Sequence, residues 1–347
     1  MIPGNVPLLV RGGRARRPGA TPRRLQRDRA GGCPYDAGMS GAEHQRAGIV
    51  AAASAFFMWG LFPLYWKMLA GVPALEVVAH RTFWGLVSVA AWVTLRRGWP
   101  AARAVARNPR ALLVLAGTAL LIGVNWLIFI WAVIHGHVVE SSLGYFINPL
   151  VNVALGVVVL RERLSRAQVV AVALAGTGVA VLTVGYGRFP WIALALAVSF
   201  ALYGLARKTV AADAVTGLLV ETAILAPAAL ALLVSLAARG GGAFVRGGVT
   251  PTVLLALGGA ITALPLVLFA FGARRLPLST VGFLQYISPT CQFLLAVFLY
   301  REPFTAAHAA TFACIWAALA LLMWDLKVRF AAIRAAPPPP DGIDSPR

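Results

Sequence analysis

The chain has 347 residues, of which 59% are hydrophobic and only 12% charged, against about 25% charged in an ordinary soluble domain. Its 31 Lys and Arg against 12 Asp and Glu give a net charge of +19. The basic residues lie in an N-terminal arm and in short gaps between apolar runs, which argues against nucleic-acid binding and for membrane topology.

Residues 1–46 are rich in Arg, Gly and Pro and hold no apolar run long enough to cross a bilayer. They read as a disordered basic arm. Met39 opens MSGAEHQRAG, a natural lead-in to a first helix, so the arm is also open to reading as a start-site artefact. From 47 to 326 apolar runs alternate with short polar breaks. About 20 apolar residues cross a bilayer core, and ten runs approach that length: 48–66, 75–95, 111–134, 140–160, 167–184, 189–206, 215–236, 252–272, 278–300 and 305–325. With the N-terminus inside, the inner gaps hold fifteen Lys and Arg and the outer gaps five. Both termini are therefore expected in the cytoplasm. Residues 327–347, with four consecutive prolines at 337–340, read as a solvated tail. The three cysteines, Cys33, Cys291 and Cys314, form no CxxC pair, which disfavours a disulfide framework or a zinc site.

The stretch 140–165, ESSLGYFINPLVNVALGVVVLRERLS, returns in altered form at 280–305. At an offset of 140 residues Ile147, Pro149, Leu155, Val157, Arg161 and Glu162 meet Ile287, Pro289, Leu295, Val297, Arg301 and Glu302. Two halves follow, 47–186 and 187–326, each with five helices. Five is odd, so the second half enters from the opposite side as an inverted repeat. That architecture offers a midplane site open to either face in turn.

The segments MWGLFPLYWK (58–67), GVPALEVVAHR (71–81), ESSLGYFINPLVN (140–152), LTVGYG (182–187) and LPLSTVGFLQYISPTCQFLLAV (276–297) occur in order. Together they resemble the RarD-type branch of the EamA transporters, in the drug/metabolite transporter superfamily. The resemblance covers residues 48 to 325. It implies an all-α integral membrane protein with ten transmembrane helices in two inverted EamA repeats. It also implies a bacterial inner-membrane location and movement of small metabolites or drugs.

Charges inside a bilayer cost about 2.5–3.5 kcal/mol each on insertion scales and ask for a reason. The second helix carries Glu76, His80 and Arg81. Arg81 and its repeat counterpart Glu221 are expected about 12 Å apart in depth, which rules out a direct bridge. Arg81 is instead placed near Glu76 or Glu140, with snorkelling to the interface as the alternative. Asn125, Asn148 beside Pro149, Gln285, Tyr286, Tyr145 and Trp59 complete the candidate substrate-binding or gating set. For Asn125 and Asn148 the alternative is hydrogen bonding between helices, and for the aromatics plain packing. Asn148-Pro149 is expected to kink its helix. Glu76, His80 and Glu221 are the candidate proton carriers, whereas Glu162 and Glu302 are read as interfacial caps or salt pairs.

The sequence contains no GxxxxGK[ST], HExxH or GxSxG, so nucleotide hydrolysis and the two best-known hydrolase chemistries lack their motifs. The leading expectation is a secondary transporter, favoured as an exporter, that uses no cofactor or metal. Its partners would be a small-molecule substrate and the lipid bilayer, with a homodimer left open. The alternative is an intramembrane enzyme acting on a lipid or isoprenoid, for which Glu76 and His80 alone qualify.

Overall fold

Without water, a backbone must satisfy its own polar groups, and an α-helix does so within one segment. The computed structural model describes residues 41–161 and 164–335, which fold as α-helices with no strand among them. The expectations for the arm at 1–40, for Glu162 and Arg163 and for the prolines at 337–340 lie outside the described residues. Contacts gather the chain from Gln45 onward into one unit.

The order is α1 (Gly41–Lys67), α2 (Ala74–Leu95), α3 (Trp99–Ala106), α4 (Pro109–Ile134), α5 (Val138–Leu160), α6 (Arg166–Tyr186), α7 (Trp191–Arg207), α8 (Ala214–Ala238), α9 (Ala243–Arg246), α10 (Val249–Ala273), α11 (Leu278–Leu284), α12 (Ile287–Leu294), a π-helical turn at Leu295–Leu299 and α13 (Ala306–Ala335). Among the described residues eight stretches are long and apolar enough to cross a membrane: α1, α4, α5, α6, α8, α10, Thr280–Leu299 and Ala306–Asp325. α7 is shorter, at 17 residues. α2, which bears Glu76, His80 and Arg81, is not among the eight.

Local chemistry sets the ends. Asn108 caps α4 by accepting from the Arg110 and Ala111 amides at 3.1 and 3.2 Å, with Pro109 at the first helical position. Ser165 and Gln168 form a reciprocal capping box on α6. Asp213 accepts from the Val215 and Thr216 amides at 3.0 and 3.1 Å to start α8. α5 ends on Arg161 at φ 55°, and the π turn is followed by Arg301 at φ 52°. A non-glycine residue in that left-handed region is uncommon.

Two short helices, α3 and α9, were not among the expected apolar runs. The larger difference concerns the prolines. α5 runs without interruption through Asn148-Pro149, while the corresponding stretch of the other half breaks at Gln285-Tyr286, between α11 and α12. The break therefore falls just ahead of Ser288-Pro289, the counterpart of the Asn148-Pro149 step where a kink is expected.

α6 packs on α13, α5 on α7, α2 on both α8 and α10, and α4 on both α7 and α8. Small residues let the backbones meet. A Cβ on Gly144 of α5 would stand 2.7 Å from the Ala193 carbonyl oxygen on α7. On Gly259 of α10 it would stand 2.2 Å from the Trp84 carbonyl carbon and 2.6 Å from the Gly85 nitrogen on α2. The buried side chains between these crossings include Trp66, Leu69, Ile130, Leu143 and Leu196. Leu113, Leu120, Val124, Leu257 and Leu264 point outward, as hydrocarbon surroundings permit.

Because the clash at Gly259 is with backbone, Gly259→Ala is expected to destabilise the fold by about 1–3 kcal/mol. Gly176→Ala, with nothing within 4 Å of the new Cβ, should be neutral or stabilising by up to about 1 kcal/mol. Thermal unfolding in detergent separates the two, and matching midpoints would contradict the crossing.

Candidate functional site

α2 carries Arg81 into the interior, where it is 5% exposed. Its Nε donates to Thr262 Oγ1 of α10 at 3.0 Å. The guanidinium carbon lies 4.0 Å from the Trp126 ring centre, 5.4 Å from Trp66 and 6.0 Å from Phe62. Nη1 is buried and makes no hydrogen bond. Among the described residues no carboxylate pairs with Arg81. The expected neighbours, Glu76 and Glu140, are both engaged elsewhere. Glu76 accepts from the Ala243 amide at 2.6 Å, capping α9, and Glu140 accepts from the Ile192 amide at 3.1 Å, capping α7. Helix N-termini present unsatisfied N–H groups and a partial positive charge, so they compete effectively for a carboxylate. His80 stacks on Phe244 at 4.8 Å and its Nδ1 has no hydrogen-bond partner.

Beside Arg81, and electrostatically coupled to it, lies Tyr145 of α5. The Tyr145 hydroxyl donates to Asn125 Oδ1 at 3.5 Å. Asn125 Nδ2 donates to the Leu196 carbonyl at 3.1 Å and to Ser199 Oγ at 2.9 Å, tying α4 to α7. Asn148 makes a similar tie, from Nδ2 to the Ala197 carbonyl at 3.1 Å, while Asn152 donates to its Oδ1 at 3.1 Å. In the other half Gln292 Nε2 reaches the Trp59 carbonyl at 3.4 Å and Ser288 Oγ at 3.2 Å. Gln292 Oε1 is buried with no partner. The Trp59 ring packs on Phe56 and Phe269. Tyr286 stacks on Phe146 at 6.2 Å, with ring planes 14° apart, and lies with Gln285 in the break between α11 and α12.

Glu221 of α8 is fully buried. It accepts from Thr118 Oγ1 at 2.7 Å and from the Tyr203 hydroxyl at 3.3 Å, and it pairs with Arg207 Nε at 3.6 Å. Arg207 Nη2 also reaches the Asp213 carbonyl at 3.2 Å. Gly217 makes room for this guanidinium, since a Cβ there would stand 2.1 Å from Nη2. Arg207, counted in the sequence only as a topology marker, is thus the partner of the buried acid.

At the bundle end formed by the α4–α5, α6–α7 and π turn–α13 junctions, a cavity of about 420 Å³ opens between Trp131, His137, Glu140, Arg188, Trp191 and Glu302, with further residues of these junctions. Glu302 accepts from the Val138 and Val139 amides at 2.9 and 2.7 Å. It is a cap, but for α5 rather than for its own helix. Burial pushes its carboxyl above the usual carboxylate range, and those amides and Lys67 offset only part of that. His135, which is exposed, and His137, which is half-buried, both stack on Trp131. Burial, followed by the charges of His135, Arg188 and Lys67, holds His137 below the usual histidine range. Among the described residues no group of three or more His, Cys, Asp or Glu is placed to hold a metal ion.

The EamA-like transporter family model matches residues 46–184. An uncharacterised transporter of Bacillus subtilis, YojE, is 47% identical over 285 residues, 81% of this chain and 94% of its own. The protein RarD of Streptomyces exfoliatus is also 47% identical, over 83% of this chain and 91% of its own. The chain belongs to the RarD-type EamA transporters. A further member, the chloramphenicol-sensitive protein RarD of Pseudomonas aeruginosa, is 35% identical over 80% of this chain and 94% of its own. A solved crystal structure, 21% identical, aligns with 80% of this chain and 97% of its own at a TM-score of 0.52, a likeness of fold alone. This member of the family is a multi-pass membrane transporter of the drug/metabolite class.

The buried ion pair in this transporter gives a direct test. Removing one partner of such a pair leaves a charge without compensation, at about 3–5 kcal/mol. Arg207→Gln alone is expected to lower the thermal midpoint more than the Arg207→Gln/Glu221→Gln double variant. An additive loss would mean that the two side chains do not interact.

Proposed function

We propose that the chain is a secondary transporter of ten membrane spans arranged as two inverted five-helix repeats, 47–186 and 187–326. It moves a small metabolite or drug by alternating access, in the export direction. Both termini face the cytoplasm of a bacterium, across its plasma membrane. The carrying observation is the position of Arg81. Its surroundings come from both halves at once, with Phe62, Trp66 and Trp126 from the first and Thr262 from the second. A site between two repeats that rock against each other is exposed to either side in turn.

Several pairs of observations support the repeat. Phe146 and Tyr286 are counterparts at the 140-residue offset, and they stack on each other, as residues beside a two-fold axis do. α2 packs on α8 and α6 on α13, each pair joining the corresponding helices of the two halves. Arg161 and Arg301, also counterparts, share the left-handed backbone. Asn152 donates to Asn148 as its counterpart Gln292 donates to Ser288, and each pair makes one bond to a backbone carbonyl, Asn148 to one of α7 and Gln292 to one of α1. Fifteen basic residues in the inner gaps against five in the outer support the orientation.

Arg81→Ala and Asn125→Ala are each expected to reduce flux by about tenfold or more while leaving membrane insertion intact. The size reflects loss of a charge-assisted or interhelical hydrogen bond in an apolar site. Proteoliposomes loaded with extract from cells lacking the gene would be assayed by mass spectrometry for compounds that cross. Normal flux in both variants would remove these residues from the pathway. Chemically altered products without net movement would favour an intramembrane enzyme.

A further inference from the structure

Arg81 is the interior charge for which the described residues supply no counter-ion. Burying a charge without compensation carries a penalty of several kcal/mol. The three rings and Thr262 satisfy the face of the guanidinium and its Nε, and leave Nη1 buried and unbonded. An in-plane N–H of a guanidinium is shaped to meet an oxyanion, a carboxylate above all. The acids that would close this edge from within are committed elsewhere. Glu76 and Glu140 hold helix N-termini, and Glu221 is paired with Arg207. The same commitments leave no acid to receive an ammonium group beside Arg81.

From this we infer that the transported molecule is a small organic carboxylate, an anion rather than a zwitterion or a cation. Its carboxylate is received on the Nη1 edge of Arg81, and its apolar body lies against Trp126 and Tyr145. The assignment rests on the transporter reading and narrows it to one substrate class. Arg81 supplies the charge, Thr262 fixes its orientation by holding Nε, and the Trp126 face 4.0 Å away keeps water from the other side.

The test uses full-length protein in detergent and then in proteoliposomes. The probes are benzoate, phenylacetate and hexanoate, each paired with its primary amide, and phenylalanine as a zwitterion. At least one acid is expected to raise the unfolding midpoint where its amide and phenylalanine do not. Arg81→Gln should weaken that acid's apparent affinity by about tenfold or more, as loss of a charged hydrogen bond predicts. Arg81→Lys should recover part of it, and Arg239→Gln, at an exposed cation, none of the loss. If no acid is preferred over its amide by the wild-type protein, or if the preference survives in both Arg81 variants, the inference is overturned. Counterflow in vesicles separates this from the broader reading. Arg81-dependent acid binding without counterflow would keep the carboxylate site and sink transport. Counterflow of amides as fast as acids, unchanged by Arg81→Gln, would sink the carboxylate site and keep transport.

Discussion

A guanidinium in an apolar interior has to be stabilised from somewhere, and the surroundings of Arg81 show how the bundle meets that constraint. Cation–π contacts contribute roughly 2 kcal/mol or more when desolvated, and Trp126, Trp66 and Phe62 lie within 4.0–6.0 Å. The Thr262 hydroxyl satisfies Nε and in turn donates to the Gly258 carbonyl at 2.8 Å. Thr262 comes within reach because α10 crosses α2 at Gly259, where a single methyl group would strike the Trp84 backbone. The close crossing and the interior charge are therefore one arrangement: a looser crossing would take the hydroxyl away from Arg81.

The acidic residues follow a second rule. Three carboxylates at turns or helix starts, Glu76, Glu140 and Glu302, each bind the N-terminal amides of a different helix. Glu302 closes α5 across 164 positions of chain. Each contact answers two needs, since a free helix start carries unsatisfied donors and a half-buried carboxylate needs them. The sequence places Glu76 four residues from His80, which suggests proton chemistry. In the fold the carboxylate accepts from the Ala243 amide and the ring stacks on Phe244.

Much of the architecture was legible because the bilayer imposes a length and a composition on each span. The apolar run at 111–134 matches α4 almost residue for residue, and the run at 48–66 falls inside α1, which begins earlier, at Gly41. The short helices were not, because Trp99–Ala106 and Ala243–Arg246 are too short and mixed to register as runs. Arg81, Asn125 and Tyr145 were each legible as candidates, since polar residues inside apolar helices are conspicuous. Their partners were not. Arg207 looked like a topology charge at a helix end, and only the fold turns it back onto Glu221. Nor does the sequence mark Gln292, one polar residue in an apolar stretch, as a buried amide with an unbonded oxygen. The sequence points to a kink at Asn148-Pro149. Pro149 and Pro289 occupy corresponding places, yet α5 continues through the first, while the second half breaks just ahead of Pro289 at Gln285-Tyr286.

In the proposed repeat Arg81 and Glu221 are counterparts 140 residues apart, and their surroundings differ. Glu221 is surrounded by Arg207, Thr118 and Tyr203, so its charge is met within the protein. Arg81 receives rings and one hydroxyl. A chain able to supply a counter-ion to one of two equivalent positions was not prevented by the fold from supplying it to the other. If Arg81 only joined helices, a carboxylate or an apolar replacement would serve that purpose with less penalty. An unpaired cation in a site built from both halves is more useful when its partner comes and goes. A permanent counter-ion would compete with an anionic cargo, whereas aromatic faces stabilise the empty state and leave the guanidinium edge available. Under the proposed carboxylate reading, the missing acid at Arg81 is what would let the position bind and release its anion.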